Sequence, residues 1–212
     1  MKKILNNLRT RLHVNKNLFV FLVVMVIVGV TAGAFFSSVL GTEDKQLVTD
    51  YLNDFFNNSL NDNLEYNVST SNTLIFTLGF SLVLWVLGIS VIGFIFIIIL
   101  LFIKSFIVGF SIGSLIINFK AKGILLSLGY VFPHHIVNLF IYILLSAYAL
   151  CVSFRIIRAF TGKRELDFKN VINRYSFVLS FSLIVLTFTS LYEVYCLSLI
   201  HISEPTRLAL MA

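Results

Sequence analysis

Long stretches of this chain carry no charged side chain at all, and their lengths are those of a lipid bilayer. Residues 18–40 (LFVFLVVMVIVGVTAGAFFSSVL) form an uncharged run that makes about 34 Å of helix at roughly 1.5 Å per residue, enough to cross a hydrocarbon core about 30 Å thick. A second run extends for 38 residues from Tyr66 to Ile103, and after Lys104 fifteen more reach Phe119. Gly123 to Phe154 adds 32, and Tyr175 to Tyr192 another 18. Charged residues are 12% of the whole and hydrophobic ones 58%, against roughly 25% charged in an ordinary soluble domain. A water-soluble fold of 212 residues could not cover so much apolar surface. The same composition excludes a disordered chain and a disulfide-rich secreted scaffold. Two cysteines, Cys151 and Cys196, are too few for a staple framework or a metal cluster. The sequence therefore predicts an all-α integral membrane protein.

Five spans account for the runs. The first is 18–40. The stretch from Tyr66 to Phe119 is about twice a bilayer as one helix, so it divides into spans at 74–92 and 94–118, reversing near Gly88 to Gly93. The fourth, 123–154, is expected to break near Pro133, because proline lacks a backbone donor and clashes with the preceding turn. The fifth is 175–196. Basic residues decide which way such a chain threads. The lead 1–17 carries Lys2, Lys3, Arg9, Arg11 and Lys16 without an acid, and the loop 155–174 has a net charge of +4. Both are expected in the cytoplasm. The loop 41–73 has a net charge of −5 and is expected outside. Lys120 and Lys122 then fall outside, a weak counterweight. Basic residues, an apolar run and Ala32-Gly33-Ala34 also fit a signal peptide cleaved after Ala34. The run continues through Phe35 and Phe36 to Leu40, which favours a retained helix.

Within loop 41–73, LVTDYLNDFFNNSL places Leu47, Tyr51, Leu52, Phe55 and Phe56 at helical spacing, an amphipathic helix lying at the interface. At the other end, Leu197 to Arg207 reads LSLIHISEPTR, which resembles a translated sequencing-library adaptor. Residues 197–212 are accordingly read as a non-native tail and kept out of functional reasoning.

Few side chains within the spans carry chemistry. Gly29 with Gly33 and Gly109 with Gly113 stand four residues apart, the spacing that lets helix backbones approach closely in lipid. They are read as a helix-packing seam or as a surface for a partner's helix. Lys104 lies deep in an apolar run, where a cation is costly. No acid lies within another span, which leaves Glu193 at the end of the fifth as the candidate partner. Pro133-His134-His135 interrupts the fourth span. Adjacent histidines diverge by about 100° on a helix and do not share a metal easily, whereas His134 and Asn138 stand one turn apart and can hydrogen-bond each other or a neighbouring helix. No paired intramembrane carboxylates, glycine–serine elbow, phosphate-cradling loop or metalloprotease helix occurs. The reading is of a protein that is not an enzyme, with no cofactor, no metal, no nucleic-acid partner and no small-molecule substrate.

Four segments, in order, resemble the stage II sporulation protein M family of endospore-forming bacteria. FVFLVVMVIVGVTAGAFF followed by SSVLGTEDKQLVTDYLNDFF is similar to the family's opening span and outward amphipathic segment. IKSFIVGFSIGSLI, with Lys104, Gly109, Phe110 and Gly113, is similar to its Lys-Gly-Phe-Ile-x-Gly-Phe stretch, with Ser105 where glycine is usual. GILLSLGYVFPHHIVNLFIY resembles its Leu-Pro-polar-polar segment. Relatives there carry Pro-Gln-Asn, or Pro-His-Gly with a glutamate shortly after, so no role of that glycine or glutamate carries over. SLYEVYC places Glu193 at the family's terminal Ile-Glu position. The resemblance implies a non-enzymatic membrane scaffold or anchor that organises peptidoglycan hydrolases during septal thinning and forespore engulfment. It implies stage II sporulation proteins D and P as partners in the septal or engulfing membrane; segment 41–73 and the glycine faces are the surfaces expected to meet them. The competing reading is a small transporter or permease subunit, with the broken fourth span, Lys104 and the histidines lining a path.

Overall fold

The computed structural model describes residues 16–60, 66–126, 132–160, 162 and 168–209, with side chains described over 16–52, 72–118, 134–160 and 168–192 and at 54, 120 and 162. Among these residues every element is helical: α1 (Lys16–Val39), α2 (Thr42–Leu60), α3 (Tyr66–Ile89), α4 (Gly93–Leu126), α5 (Phe132–Phe160) and α6 (Phe168–Ala209). Five contain windows long and apolar enough to cross a membrane: Lys16–Val39, Asn72–Ile89, Gly93–Asn118, His134–Phe160 and Phe168–Tyr192. The chain is an all-α, multi-pass membrane protein.

Side-chain pairings between helices give their directions. Gly29 of α1 faces Ser105 of α4, and Ser37 faces Gly113, so these two helices run parallel. Tyr142 donates to the Thr77 carbonyl at 3.3 Å and Ser153 to the Ser90 carbonyl at 3.0 Å, so α3 and α5 are parallel as well. Thr189 bonds Asn138, while Tyr175 meets the Gly88 and Ala149 level, so α6 runs against both. The result is an up-and-down bundle. α2, the start of α3, the end of α4 and the start of α5 share one side, and the α5–α6 connection lies on the other. The positive-inside rule would put the basic connection inside and α2 outside.

The reversal between α3 and α4 is tight. Ser90 N–H donates to the Leu87 carbonyl at 3.0 Å and Gly93 N–H to the Ser90 carbonyl at 3.3 Å. A Cβ on Gly93 would collide with the Leu87 backbone, 2.7 Å from its carbonyl carbon, so only glycine closes this turn. The cytoplasmic end of α5 stops on Gly162, whose φ of 70° and N–H bond to the Ala159 carbonyl at 3.0 Å make a left-handed helix cap.

α5 is the central helix: 67% of its span window is buried, against 22–33% in the others. Its Tyr142, Leu145, Ala149 and Leu150 lie within the core with Leu84 of α3, Leu101 of α4 and Leu186 of α6. The other helices each turn one face inward and leave the rest apolar and exposed, as with Phe21, Val24 and Val28 of α1 or Phe181, Ile184 and Phe188 of α6. Such faces are lipid-facing, and no hydrophobic drive holds the bundle together. Close packing and interhelical hydrogen bonds do so. Buried serines are correspondingly common, with Ser37, Ser81 and Ser105 donating to carbonyls three or four residues earlier.

The helix boundaries refine the expected ones. Helix runs on from α4 to Leu126 only across a kink at Lys120 (φ 49°, ψ −123°) that divides it in two, so residues 123–126 follow the surface that Lys120 and Lys122 mark in the sequence. The interruption expected near Pro133 falls at a helix start. α5 begins at Phe132 and Pro133 sits in its first turn, where a missing N–H leaves no helical bond unmade. Residues 127–131 lie outside the described residues. In the fifth span, helix begins earlier, at Phe168, and takes in Lys169 and Arg174. Its backbone continues to Ala209, beyond the apolar window that closes at Tyr192.

Candidate functional site: an outward helix and a polar cavity

The four glycines singled out by spacing face one another. On α1, a Cβ at Gly33 would lie 2.8 Å from the Phe110 nitrogen and 2.9 Å from the Phe106 carbonyl carbon, both on α4. On α4, a Cβ at Gly109 would lie 2.7 Å from the Val30 Cα, and one at Gly113 3.0 Å from the Ala34 Cα. Gly29 sits against Ser105 in the same way, 3.1 Å from the Phe102 carbonyl oxygen. Backbone meets backbone along three turns, and among the described residues this is the most extensive helix pair. Both glycine faces are filled by each other, so neither is open to a partner's helix.

At the outward end of this seam, α2 meets the bundle through a few side-chain contacts. Lys45 donates to the Ser38 carbonyl at 2.9 Å. Thr49 donates to the Asn118 amide oxygen of α4 at 2.5 Å, and the Asn118 amide nitrogen bonds the Ser114 carbonyl at 2.9 Å. The inward positions are Lys45, Val48, Thr49 and Leu52, one stripe at helical spacing. Of the apolar positions at helical spacing, Leu47 and Tyr51 are 69% and 73% exposed and Leu52 is half-buried. The side chains of Phe55 and Phe56 lie outside the described residues. The outward surface of α2 thus combines Leu47 and Tyr51 with Glu43, Asp44, Asp50 and Asp54.

On the same side, between α3, α4 and α5, lies a polar cavity of about 250 Å³. α3 contributes Asn72, Thr73, Phe76 and Thr77; α4 contributes Lys104 and Val108; α5 contributes His135, Asn138, Leu139 and Tyr142. Lys104 and Asn138, picked out separately in the sequence, meet here. The Lys104 ammonium stands 5.5 Å from the centroid of the Phe80 ring, a cation–π distance. Asn138 is 7% exposed and accepts from Thr189 at 2.5 Å, so its oxygen ties α5 to α6 and its edge lines the cavity. His134 is buried rather than in the cavity, its ring edge-on to His135 at 4.2 Å between centroids. The side chains of Pro133 and Glu193 lie outside the described residues. Among the described residues no three of His, Cys, Asp and Glu come together as metal ligands would.

Sequence reasoning missed Asn72, Thr73 and Thr77, which read only as the polar start of a span. It also missed Tyr142 and Tyr175. A tyrosine in a span must satisfy its hydroxyl, and that signal was available. Tyr142 packs edge-on against Phe80 at 4.8 Å. Tyr175 stacks on Trp85 at 5.7 Å and donates to the Trp85 carbonyl at 3.0 Å.

These features define a helical, polytopic membrane protein with a polar cavity among its spans. The chain belongs to the stage II sporulation protein M (SpoIIM) family, whose profile matches residues 19–196. It is therefore a sporulation-related membrane protein. No curated protein and no solved structure matches the chain.

Proposed function

We propose that the protein is a non-enzymatic membrane scaffold that anchors and organises peptidoglycan hydrolases during septal thinning and forespore engulfment. Stage II sporulation proteins D and P are its partners, and the septal and then the engulfing membrane is its place of action. The observation that carries this reading is the outward face of α2, which holds two large apolar side chains, Leu47 and Tyr51, exposed among four acids while its opposite stripe docks on the bundle rim. Exposed aromatic and aliphatic side chains within a polar surround are the usual anchors of a protein interface. The glycine seam beneath fixes the platform from which α2 is presented.

Replacing both anchors, Leu47→Asp with Tyr51→Asp, should lower co-purification of proteins D and P by roughly tenfold or more. Membrane levels of the protein itself should stay unchanged, since both side chains are exposed. Undiminished co-purification contradicts the scaffold role assigned to this face.

The polar cavity supports a second reading, a transporter or permease subunit. Deleting the gene separates the two: arrested engulfment with unaltered solute flux supports the scaffold, and altered flux with normal engulfment supports the transporter.

A further inference from the structure

We propose that the cavity between α3, α4 and α5 binds a singly charged phosphate group, presented by an anionic phospholipid of the outward leaflet. This goes beyond the scaffold reading and does not depend on it.

The opening of the cavity points to lipid. Asn72 and Phe76 stand one turn apart on α3, both line the cavity, and both are exposed, Phe76 at 74%. The cavity therefore opens sideways through the edge of the bundle and not only along its axis. The sequence preceding this edge, Asn67 to Thr73 (NVSTSNT), is polar, which sets the mouth at headgroup level. Thr77 is five residues further in, roughly 7–8 Å along the helix. A headgroup settling into the cavity would thus descend about one and a half turns below its neighbours while its chains stayed in the bilayer.

The lining points to phosphate. Lys104 supplies one full positive charge, held against the Phe80 ring. Thr73, Thr77 and Asn138 supply hydroxyl and amide groups, while the Tyr142 hydroxyl donates to the Thr77 carbonyl. The first turn of α5, a helix of 29 residues, brings His135 to the cavity wall, so the positive end of a helix dipole lies at the same place. A lysine, neutral donors and a helix N-terminus together make an oxyanion site, and one ammonium matches the single charge of a phosphodiester. A doubly charged free phosphate would leave a charge uncompensated in a low-dielectric setting. The volume of about 250 Å³ leaves room for the glycerol attached to a lipid phosphate as well.

The test uses the full chain, purified in detergent and stripped of lipid, with binding read by native mass spectrometry. The probes are phosphatidylglycerol, phosphatidylcholine and inorganic phosphate. Phosphatidylglycerol should bind saturably and at least about tenfold tighter than phosphatidylcholine, and Lys104→Met should weaken it by about tenfold or more, the worth of a charge-assisted hydrogen bond. Binding of inorganic phosphate with the same dependence on Lys104 supports the phosphate site and identifies a free anion as its source. Binding of phosphatidylglycerol alone identifies the lipid. If Lys104→Met does not fold, the double variant Asn72→Leu with Thr73→Val at the mouth carries the test, with a loss of severalfold expected. Equal binding of the two lipids, or unchanged affinity in the variants, overturns the proposal.

Discussion

Gly33→Leu combined with Gly109→Leu is expected to separate α1 from α4 and to lower the stability of the bundle by on the order of 3 kcal/mol or more. The new side chains have nowhere to go. Each would begin with a Cβ pressed into the opposing backbone, 2.8 Å from the Phe110 nitrogen in one case and 2.7 Å from the Val30 Cα in the other. Backbone of a packed helix cannot yield as the end of a flexible side chain can, so the helices must part. In lipid no hydrophobic effect compensates the lost contact, because acyl chains cover the freed faces as well as the partner helix did. Gly79 gives the control. A Cβ there meets nothing within 4 Å, so Gly79→Leu should change stability by no more than about 0.5–1 kcal/mol, in the stabilising direction if helix propensity dominates. Unfolding midpoints of the purified protein in detergent compare the two. Equal midpoints for the seam and control variants would sink the seam as a structural element.

The second large effect is expected at Tyr175. Its ring is 1% exposed, stacks on Trp85, and its hydroxyl reaches the Leu84 and Trp85 carbonyls at 3.3 and 3.0 Å. It also fills the space beside Gly88 where a larger residue would touch Ala149, whose Cα lies 2.9 Å from the position of a Cβ. Tyr175→Ala removes a buried side chain that joins α6 to α3, and should cost about 3–5 kcal/mol, as aromatic truncations in well-packed interiors do. Tyr175→Phe keeps the ring and loses the hydrogen bonds alone, so about 0.6–1.7 kcal/mol is expected, the range of interhelical bonds within membranes. The same unfolding measurement ranks the two. A phenylalanine variant as unstable as the alanine one would show that the hydroxyl, not the ring, holds α6 in place.

Much of the architecture could be read from where charges are missing, because in a bilayer each uncharged run must become a helix and each cluster of charge must stay at a surface. The reversal near Gly88 to Gly93 and the two glycine pairs followed from length and spacing. What spacing could not say was whether Gly29 and Gly33 met Gly109 and Gly113 or a different protein, since a small face looks the same to either. In α2, hydrophobic periodicity names the side that carries Leu47 and Tyr51 but says nothing of the opposite side, where Ser38 and Asn118 accept hydrogen bonds from Lys45 and Thr49. The cavity was half legible. Lys104 and Asn138 stood out as polar residues in apolar runs, while Asn72, Thr73 and Thr77 were ordinary at a helix start. Their meeting depends on α3 and α5 running parallel across 65 residues of sequence, which no local pattern encodes.

The claim on which the account rests is a five-span bundle that presents α2 on the outer face of the membrane. Site-directed labelling tests it most directly. In a background with Cys151→Ser and Cys196→Ser, single cysteines are placed by Tyr51→Cys on α2 and Lys169→Cys at the start of α6. Intact cells are then treated with a membrane-impermeant maleimide. Position 51 is expected to label in intact cells and position 169 only after lysis. Labelling of position 169 from outside, with position 51 protected until lysis, would contradict the account.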